Sequence, residues 1–206
     1  MALHYVSIRP GLFLVAQHIP ISQQPVTRQP LHHILLLDRS GSMSLVIGQL
    51  IDHVTERILS LPAGDYVSVG YFSGASEYRF VLKGYGIHKA TKQNHQALLD
   101  VLNTLRSTLH TTFFSQILQE TVLTIDELTA LTPLVTLTLF TDGCPVVPNM
   151  RVEHECIFEV LCELAPRLIS ALLVGYGGYY NKQLMAEMAE KLGGTLVHAD
   201  TMPTFA

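Results

Sequence analysis

Oxygen-bearing side chains follow the first strongly apolar segment of the sequence. Residues 34–37 are a continuous aliphatic run, which is typical of a strand that is buried on both faces of a parallel sheet. Asp38, Ser40 and Ser42 come directly after it, and Gly41 permits the tight turn that would bring their side chains together. A carboxylate and two hydroxyls are hard oxygen donors, which suit Mg²⁺ and also Mn²⁺ or Ca²⁺. The spacing therefore predicts a metal site at the carboxyl end of this strand.

A simpler interpretation of the same loop is structural. An Asp/Ser turn often caps the helix that follows it, and Ser42 or Ser44 would be a suitable N-cap residue. A second carboxylate favours the metal site, because Asp142 follows another buried-type strand at residues 134–140. Ligands of open α/β sheets bind at the edge where the parallel strands end. We therefore expect Asp38 and Asp142 to lie at the same edge.

Apolar strands alternate with amphipathic helices from residue 31 onward. Strand patterns cover residues 34–37, 66–72, 78–82, 134–140, 168–174 and 195–199, and helical spacing covers residues 44–61, 98–105, 117–128, 157–164 and 184–192. This alternation predicts an α/β fold with a doubly wound, mostly parallel central sheet and helices on both faces. The second and third strands are expected to form an antiparallel hairpin, so that one edge strand is antiparallel.

The first thirty residues differ from the rest. Two short extended pieces, residues 5–8 and 12–15, predict a strand pair, and the Gln- and Pro-rich residues 20–30 predict a linker or surface loop. We therefore divide the chain into an N-terminal extension, residues 1–30, and an α/β domain, residues 31–206.

Composition limits the possible partners. The 206 residues are 48% hydrophobic and 15% charged, which suits one domain with a substantial core. A net charge of −4 without a cluster of Lys or Arg argues against nucleic acid and anionic membranes as partners. Apolar runs are too short for a membrane span, the first residues do not resemble a signal peptide, and three cysteines do not suggest a disulfide framework. We expect a cytoplasmic setting.

Three segments, in this order, resemble the von Willebrand factor type A domain from about residue 31 to the end. They are Asp38-x-Ser40-x-Ser42, Thr112 within Thr-Thr-Phe-Phe-Ser, and Asp142 within Thr-Asp-Gly-Cys-Pro. Residues 65–73 and 174–177 also resemble a hairpin and a turn of that family. The resemblance implies a Rossmann-like fold and a metal ion-dependent adhesion site, where an acidic residue of a partner protein fills an open position on Mg²⁺. The chain stops soon after the last strand, which favours a fragment of a longer protein.

Carried across residue by residue, the resemblance assigns a ligand set. Ser40, Ser42 and Thr112 would bind the metal directly, and Asp38 and Asp142 would bind it directly or through water. Thr111 is an alternative to Thr112, which we favour for its register with Phe113-Phe114-Ser115. His110 stands where family members often have glycine, so it either influences ligand binding and its pH dependence or is an ordinary loop residue.

Three functions are compatible with these features. The first is a non-enzymatic protein interaction module that uses Mg²⁺ to bind an Asp or Glu of its partner. The second is a metal-dependent hydrolase or phosphotransferase that uses Asp38 as nucleophile or Mg²⁺ as Lewis acid, but the sequence offers no placed general base and no second carboxylate two residues after Asp38. The third is a scaffold whose metal site is unused.

Other reactive or aromatic residues have simpler explanations. Cys144, beside the metal site, is expected to be an unreactive thiol, because a nearby carboxylate raises the pKa of a thiol. Cys156 falls on the apolar face of its helix and Cys162 just off that face, and both are expected to be packed. With His154 they do not have zinc-site spacing. The tyrosines near residues 175–178 belong either to a protein contact surface or to the packing; they are Tyr176, Tyr179 and Tyr180.

Overall fold

The computed structural model describes residues 3–9, 12–17, 28–87, 96–108, 111–132, 134–178 and 180–199. Its strands are β1 (Leu3–Arg9), β2 (Leu12–Gln17), β3 (His32–Asp38), β4 (Tyr66–Phe72), β5 (Tyr78–Gly86), β6 (Val135–Thr141), β7 (Leu168–Gly175) and β8 (Thr195–His198). Its α-helices are α1 (Ile47–Leu59), α2 (Gln96–Thr104), α3 (Ser115–Leu128), α4 (Met150–Leu164) and α5 (Lys182–Lys191). Short 3₁₀ helices cover Gly41–Leu45 and Ala165–Arg167.

Six of the strands form one sheet in the order β5-β4-β3-β6-β7-β8. All neighbours in it are parallel except β4 and β5, which form the antiparallel hairpin at one edge. The predicted mostly parallel sheet with one antiparallel edge strand is therefore confirmed. β1 and β2 form a separate antiparallel pair, in which Leu3 is opposite Gln17. Of the loop or linker predicted for residues 20–30, residues 20–27 lie outside the described residues.

Strand β3 is central in the sheet, and its side chains alternate between two hydrophobic cores. Ile34 and Leu36 face the core that α3, α4 and α5 cover, whereas Leu35 and Leu37 face the core that α1 and α2 cover. Because both faces need apolar side chains, the strand is continuously apolar rather than alternating. The end of this rigid, fully buried strand is where Asp38 lies.

Buried histidines precede the apolar run. Strand β3 begins at His32, two residues before that run, and His32 Nε2 lies 2.8 Å from Ser68 Oγ. His33 lies between Thr136 Oγ1, 2.9 Å from its Nδ1, and Asp65 Oδ2, 2.9 Å from its Nε2. Burial, together with the neighbouring His33, lowers the pKa of His32 to about 4. A neutral His32 is thus part of the folded state near neutral pH.

This histidine predicts a loss of stability in mild acid. The pKa of His32 is about 4 in the folded chain and about 6.5 in an unfolded one, so the unfolded state takes up the proton first as the pH falls. Between pH 7 and pH 5 His32 should lower the free energy of unfolding by about 2 kcal/mol. Urea denaturation of the native chain and of His32→Gln at both pH values isolates this contribution. Equal pH dependence of the two proteins would contradict it.

Two predictions about the helices need correction. The predicted helix over residues 44–61 is divided, because the 3₁₀ helix Gly41–Leu45 precedes α1. Cys162 is exposed rather than packed, so that prediction is wrong, whereas Cys156 is partly buried. Cys162 follows the buried Leu161 and is therefore turned about 100° away from the apolar side of α4. Among the described helices, none is long and apolar enough to cross a membrane.

Candidate metal centre

Asp38 is completely buried at the end of β3, and both of its carboxylate oxygens accept hydrogen bonds. The backbone N–H of Ser40 donates to Oδ1 at 2.8 Å, and the hydroxyl of Thr141 donates to Oδ2 at 2.6 Å. Thr141 is the last residue of the neighbouring strand β6. The carboxylate is therefore held between the ends of two adjacent parallel strands. This is the carboxyl-end edge of the sheet, where Asp38 is predicted to lie.

The two serine hydroxyls of the same loop lie together. Ser40 Oγ and Ser42 Oγ are 3.1 Å apart. The N-cap residue of the 3₁₀ helix is Ser40, and that of α1 is Val46; neither uses its side chain as a cap within the described structure. The prediction that Ser42 or Ser44 caps the next helix is therefore wrong. Both serines lie within the 3₁₀ helix, and α1 begins only after Val46.

The loop after β6 brings the second carboxylate to this edge. Asp142 is 9% exposed, and its Oδ1 accepts a hydrogen bond from the N–H of Cys144 at 3.0 Å. Gly143 has a φ of 67°, and a Cβ there would lie 2.5 Å from Cγ of Met185. Only glycine satisfies both conditions. The N–H of Gly143 also donates to Thr141 Oγ1 at 2.9 Å, which links this loop to Asp38.

A third loop, before α3, contributes Thr112. Backbone hydrogen bonds of 3.4 and 3.3 Å pair Thr112 with Val146, which follows Asp142 in the second loop. Thr112 is 1% exposed, whereas its neighbour Thr111 is exposed. Among the described residues, no hydrogen-bond partner is present for Thr112 Oγ1. A buried hydroxyl without a partner is costly, so Thr112 Oγ1 is available to a ligand other than the described residues.

Glu153 anchors the end of this third loop, a role that no pattern in the sequence indicates. Its buried side chain reaches from α4 to the first turn of α3, where Oε1 accepts hydrogen bonds from the N–H groups of Phe114 at 2.8 Å and Ser115 at 2.9 Å. Its Oε2 accepts a third from the Ser115 hydroxyl at 2.8 Å. The carboxylate therefore satisfies two amides of a helix N-terminus two residues after Thr112.

The donor set fits a hard divalent cation. Burial, reinforced by the charge of Asp142, raises the pKa of Asp38 to about 6 despite the hydrogen bonds from Thr141 and Ser40. The loops that bear these two carboxylates and three hydroxyls are hydrogen-bonded to one another at one edge of the sheet, and Thr112 Oγ1 has no partner in the described structure. Across the described ranges, no group of three or more His, Cys, Asp or Glu side chains is placed to hold a metal. Carboxylate and hydroxyl oxygens suit Mg²⁺ rather than Zn²⁺ as ligands. His110 lies outside the described residues.

A cavity of about 460 Å³ adjoins the site on the side of β6 and β7. Ser42 and Asp142 line one part of it. Burial, followed by the charge of Asp142, raises the pKa of the Cys144 thiol on its rim, as expected for an unreactive cysteine. Tyr176, one of the tyrosines considered above, is completely buried, and its hydroxyl lies 2.7 Å from His53 Nδ1. Tyr179 lies outside the described residues.

Solved structures with the same fold are numerous, although no protein-family model and no curated protein sequence matches this chain. A von Willebrand factor type A protein from Catenulispora acidiphila superposes with a TM-score of 0.66 and 18% identity, over 82% of this chain and 38% of that one. The manganese-loaded TRAP protein of Plasmodium vivax gives a TM-score of 0.63 and 19% identity, over 84% and 70%. The ArnB paralog VWA2 of Sulfolobus acidocaldarius gives 0.55 and 17%, over 83% and 41%.

These similarities identify the class of fold. The chain has the von Willebrand factor type A fold, with its Rossmann-like mixed sheet and helices on both faces. It spans less than half the length of the Catenulispora and Sulfolobus chains. Identities below one fifth establish the fold alone and do not establish a function.

Proposed function

We propose that this protein is a Mg²⁺-dependent interaction module that binds an Asp or Glu side chain of a protein partner. The observation that carries the proposal is the buried Thr112 hydroxyl, for which the described residues provide no partner. It belongs to a loop that is hydrogen-bonded to the Asp142 loop, while Asp142 is linked through Thr141 to Asp38. All donors of this set are oxygens, as Mg²⁺ prefers, and Mn²⁺ or Ca²⁺ would be weaker candidates.

The composition of the site explains why it would bind an acidic group. Ser40, Ser42 and Thr112 would hold the ion with neutral hydroxyls, so its charge would be only partly compensated by Asp38 and Asp142. A carboxylate from a partner is then favoured over water at a remaining coordination position. Fold neighbours that include a von Willebrand factor type A protein are consistent with an interaction role.

The environment of Asp38 supports a binding module rather than a hydrolase or phosphotransferase. A nucleophilic carboxylate needs an oxygen that faces the substrate, yet Asp38 is completely buried and both oxygens accept hydrogen bonds within the protein. We therefore propose that the protein is not an enzyme. We also propose a reducing, cytoplasmic setting, because an odd number of cysteines, three in this sequence, does not suggest a disulfide framework.

A pair of adjacent threonines provides the test of the metal site. Thr112→Val removes the hydroxyl but keeps the shape of the side chain, and we expect it to weaken Mg²⁺ binding by about tenfold or more. Stability without metal should stay the same or rise, because the lost hydroxyl has no partner among the described residues. Isothermal titration with Mg²⁺ measures the first effect, and urea denaturation in chelator measures the second.

Thr111→Val is the matched control, since Thr111 is exposed and one residue away. It should bind Mg²⁺ like the native chain. If Thr111→Val loses binding and Thr112→Val keeps it, the ligand assignment is wrong. If native protein binds no divalent cation at all, the proposed function fails. Capture of partners from a lysate in Mg²⁺ and in EDTA then extends the test to protein binding.

A further inference from the structure

The cavity beside the metal centre has one polar and one apolar part. Ser42 and Asp142 provide the oxygens, whereas the remaining wall is mainly apolar and aromatic. Leu45, Val46 and Tyr180 are its accessible apolar members, whereas Met43 and Tyr176 border the cavity but are completely buried. The metal ligands and the apolar wall therefore border the same space, and a group bound to the metal would lie next to that wall.

We propose that the partner segment carries a bulky apolar residue next to its acidic residue, and that this apolar side chain occupies the cavity while the carboxylate binds the metal. The inference rests on the proposed function and specifies its partner. The cavity, at about 460 Å³, lies in the range of sites that enclose a ligand of several groups, so it has room for more than a carboxylate.

Leu45 is the most informative residue of the wall. It is 96% exposed, although it lies only three residues after the proposed ligand Ser42 and lines the cavity. Val146, which follows Asp142 in the second loop, is 54% exposed. Apolar side chains therefore lie exposed in two of the three metal-binding loops. Exposed apolar groups beside a polar centre are typical of protein contact surfaces, and a free small carboxylate would leave them in water.

Charge determines that the acidic side chain of the partner lies at the metal and its apolar side chain at the apolar wall. Without a cation, the carboxylates of Asp38 and Asp142 would repel an acidic group, whereas a bound divalent ion reverses this preference. The apolar wall offers no comparable attraction to a charge. A segment with adjacent acidic and apolar side chains can contact both parts of the cavity. Its binding should require the metal, even though part of its contact surface is apolar.

Peptide selection tests this inference. A phage-displayed library with a fixed central aspartate is selected on the full chain in Mg²⁺ and eluted with EDTA, beside a library with asparagine at that position. We expect enrichment of Leu, Ile, Phe, Tyr or Trp next to the aspartate, and little recovery from the asparagine library. An enriched peptide should bind Leu45→Ser about tenfold more weakly than the native chain. Leu59→Ser is the control, because Leu59 is also exposed but lies at the far end of α1.

Each outcome has a definite meaning. Mg²⁺ titration of Leu45→Ser must match the native chain, since Leu45 is not a metal ligand; this separates loss of the cavity contact from loss of the metal. Aspartate peptides that elute with EDTA but show no apolar neighbour would overturn the inference and leave the proposed function intact. Apolar peptides that EDTA does not release, or no selected peptide at all, would also overturn it. Absence of Mg²⁺ binding by native protein would overturn both.

Discussion

Replacing Asp38 with asparagine is expected to abolish Mg²⁺ binding, with an affinity at least about a hundredfold lower, while the protein stays folded. Asparagine keeps an oxygen that can accept the hydrogen bond from Ser40 N–H, and its NH₂ group can donate to Thr141 Oγ1 once that hydroxyl turns its hydrogen away. It removes a negative charge from a completely buried position, where a charge without metal is unfavourable. Stability without metal should therefore be unchanged or higher. Asp142→Asn should also lose the metal, because it removes the only other carboxylate of the proposed ligand set.

The measurement combines calorimetry with thermal unfolding. A ligand at a hundred times its dissociation constant adds about 2.7 kcal/mol to the free energy of unfolding, so saturating Mg²⁺ should clearly raise the melting temperature of the native chain. Neither Asp38→Asn nor Asp142→Asn should respond. Asp52→Asn, an exposed position on α1, is the control and should respond like the native chain. A variant of Asp38 that still binds Mg²⁺ with native affinity would contradict the proposed site.

The sheet was predictable because its signals are local. The run at residues 34–37 required burial on both faces, and the structure divides those four side chains between two cores. The hairpin over residues 66–72 and 78–82 was likewise found at the antiparallel edge. Strands that end together in a parallel sheet place Asp38 and Asp142 at one edge, so the position of the candidate site followed from topology. Metal binding itself remains a prediction.

Contacts between distant segments were not predictable from pattern. The hydrogen bonds between Asp38 and Thr141 and between His33 and Thr136 each join residues that are 103 positions apart in the sequence. His32 and His33 extend a buried strand although their side chains are polar, because Ser68, Asp65 and Thr136 provide partners. Such pairings depend on which neighbours the fold supplies, and no spacing within one segment indicates them.

The contacts of Glu153 at the candidate site were likewise not predictable from the sequence. A glutamate in the first turn of a helix is ordinarily explained by the dipole of its own helix, and Asn149 already caps α4 through Val152 N–H. The carboxylate instead satisfies Phe114 and Ser115 at the start of α3. Its role therefore arises from the packing of α4 against α3, and it connects the stability of the fold to the loop that bears Thr112.

Glu153→Ala is accordingly expected to lower the free energy of unfolding by about 3–5 kcal/mol, because it leaves two amides and a hydroxyl without their charged acceptor. Mg²⁺ binding should weaken in the fraction that stays folded, since Thr112 directly precedes the segment that loses its anchor. Glu153→Gln keeps one acceptor oxygen and should give a smaller loss. Urea denaturation and Mg²⁺ titration measure the two effects.

Glu159→Ala is the matched control, because Glu159 is an exposed glutamate of the same helix. A surface glutamate in a helix contributes little, so this change should stay within about 0.5 kcal/mol of the native chain. If Glu153→Ala were as stable as Glu159→Ala, water would have to replace the carboxylate at the start of α3. If it lost stability but kept native Mg²⁺ affinity, the Thr112 loop would be held by its pairing with Val146 and by the bond from Phe113 N–H to Ser73 O instead. Stability and metal binding would then be independent properties of this edge of the sheet.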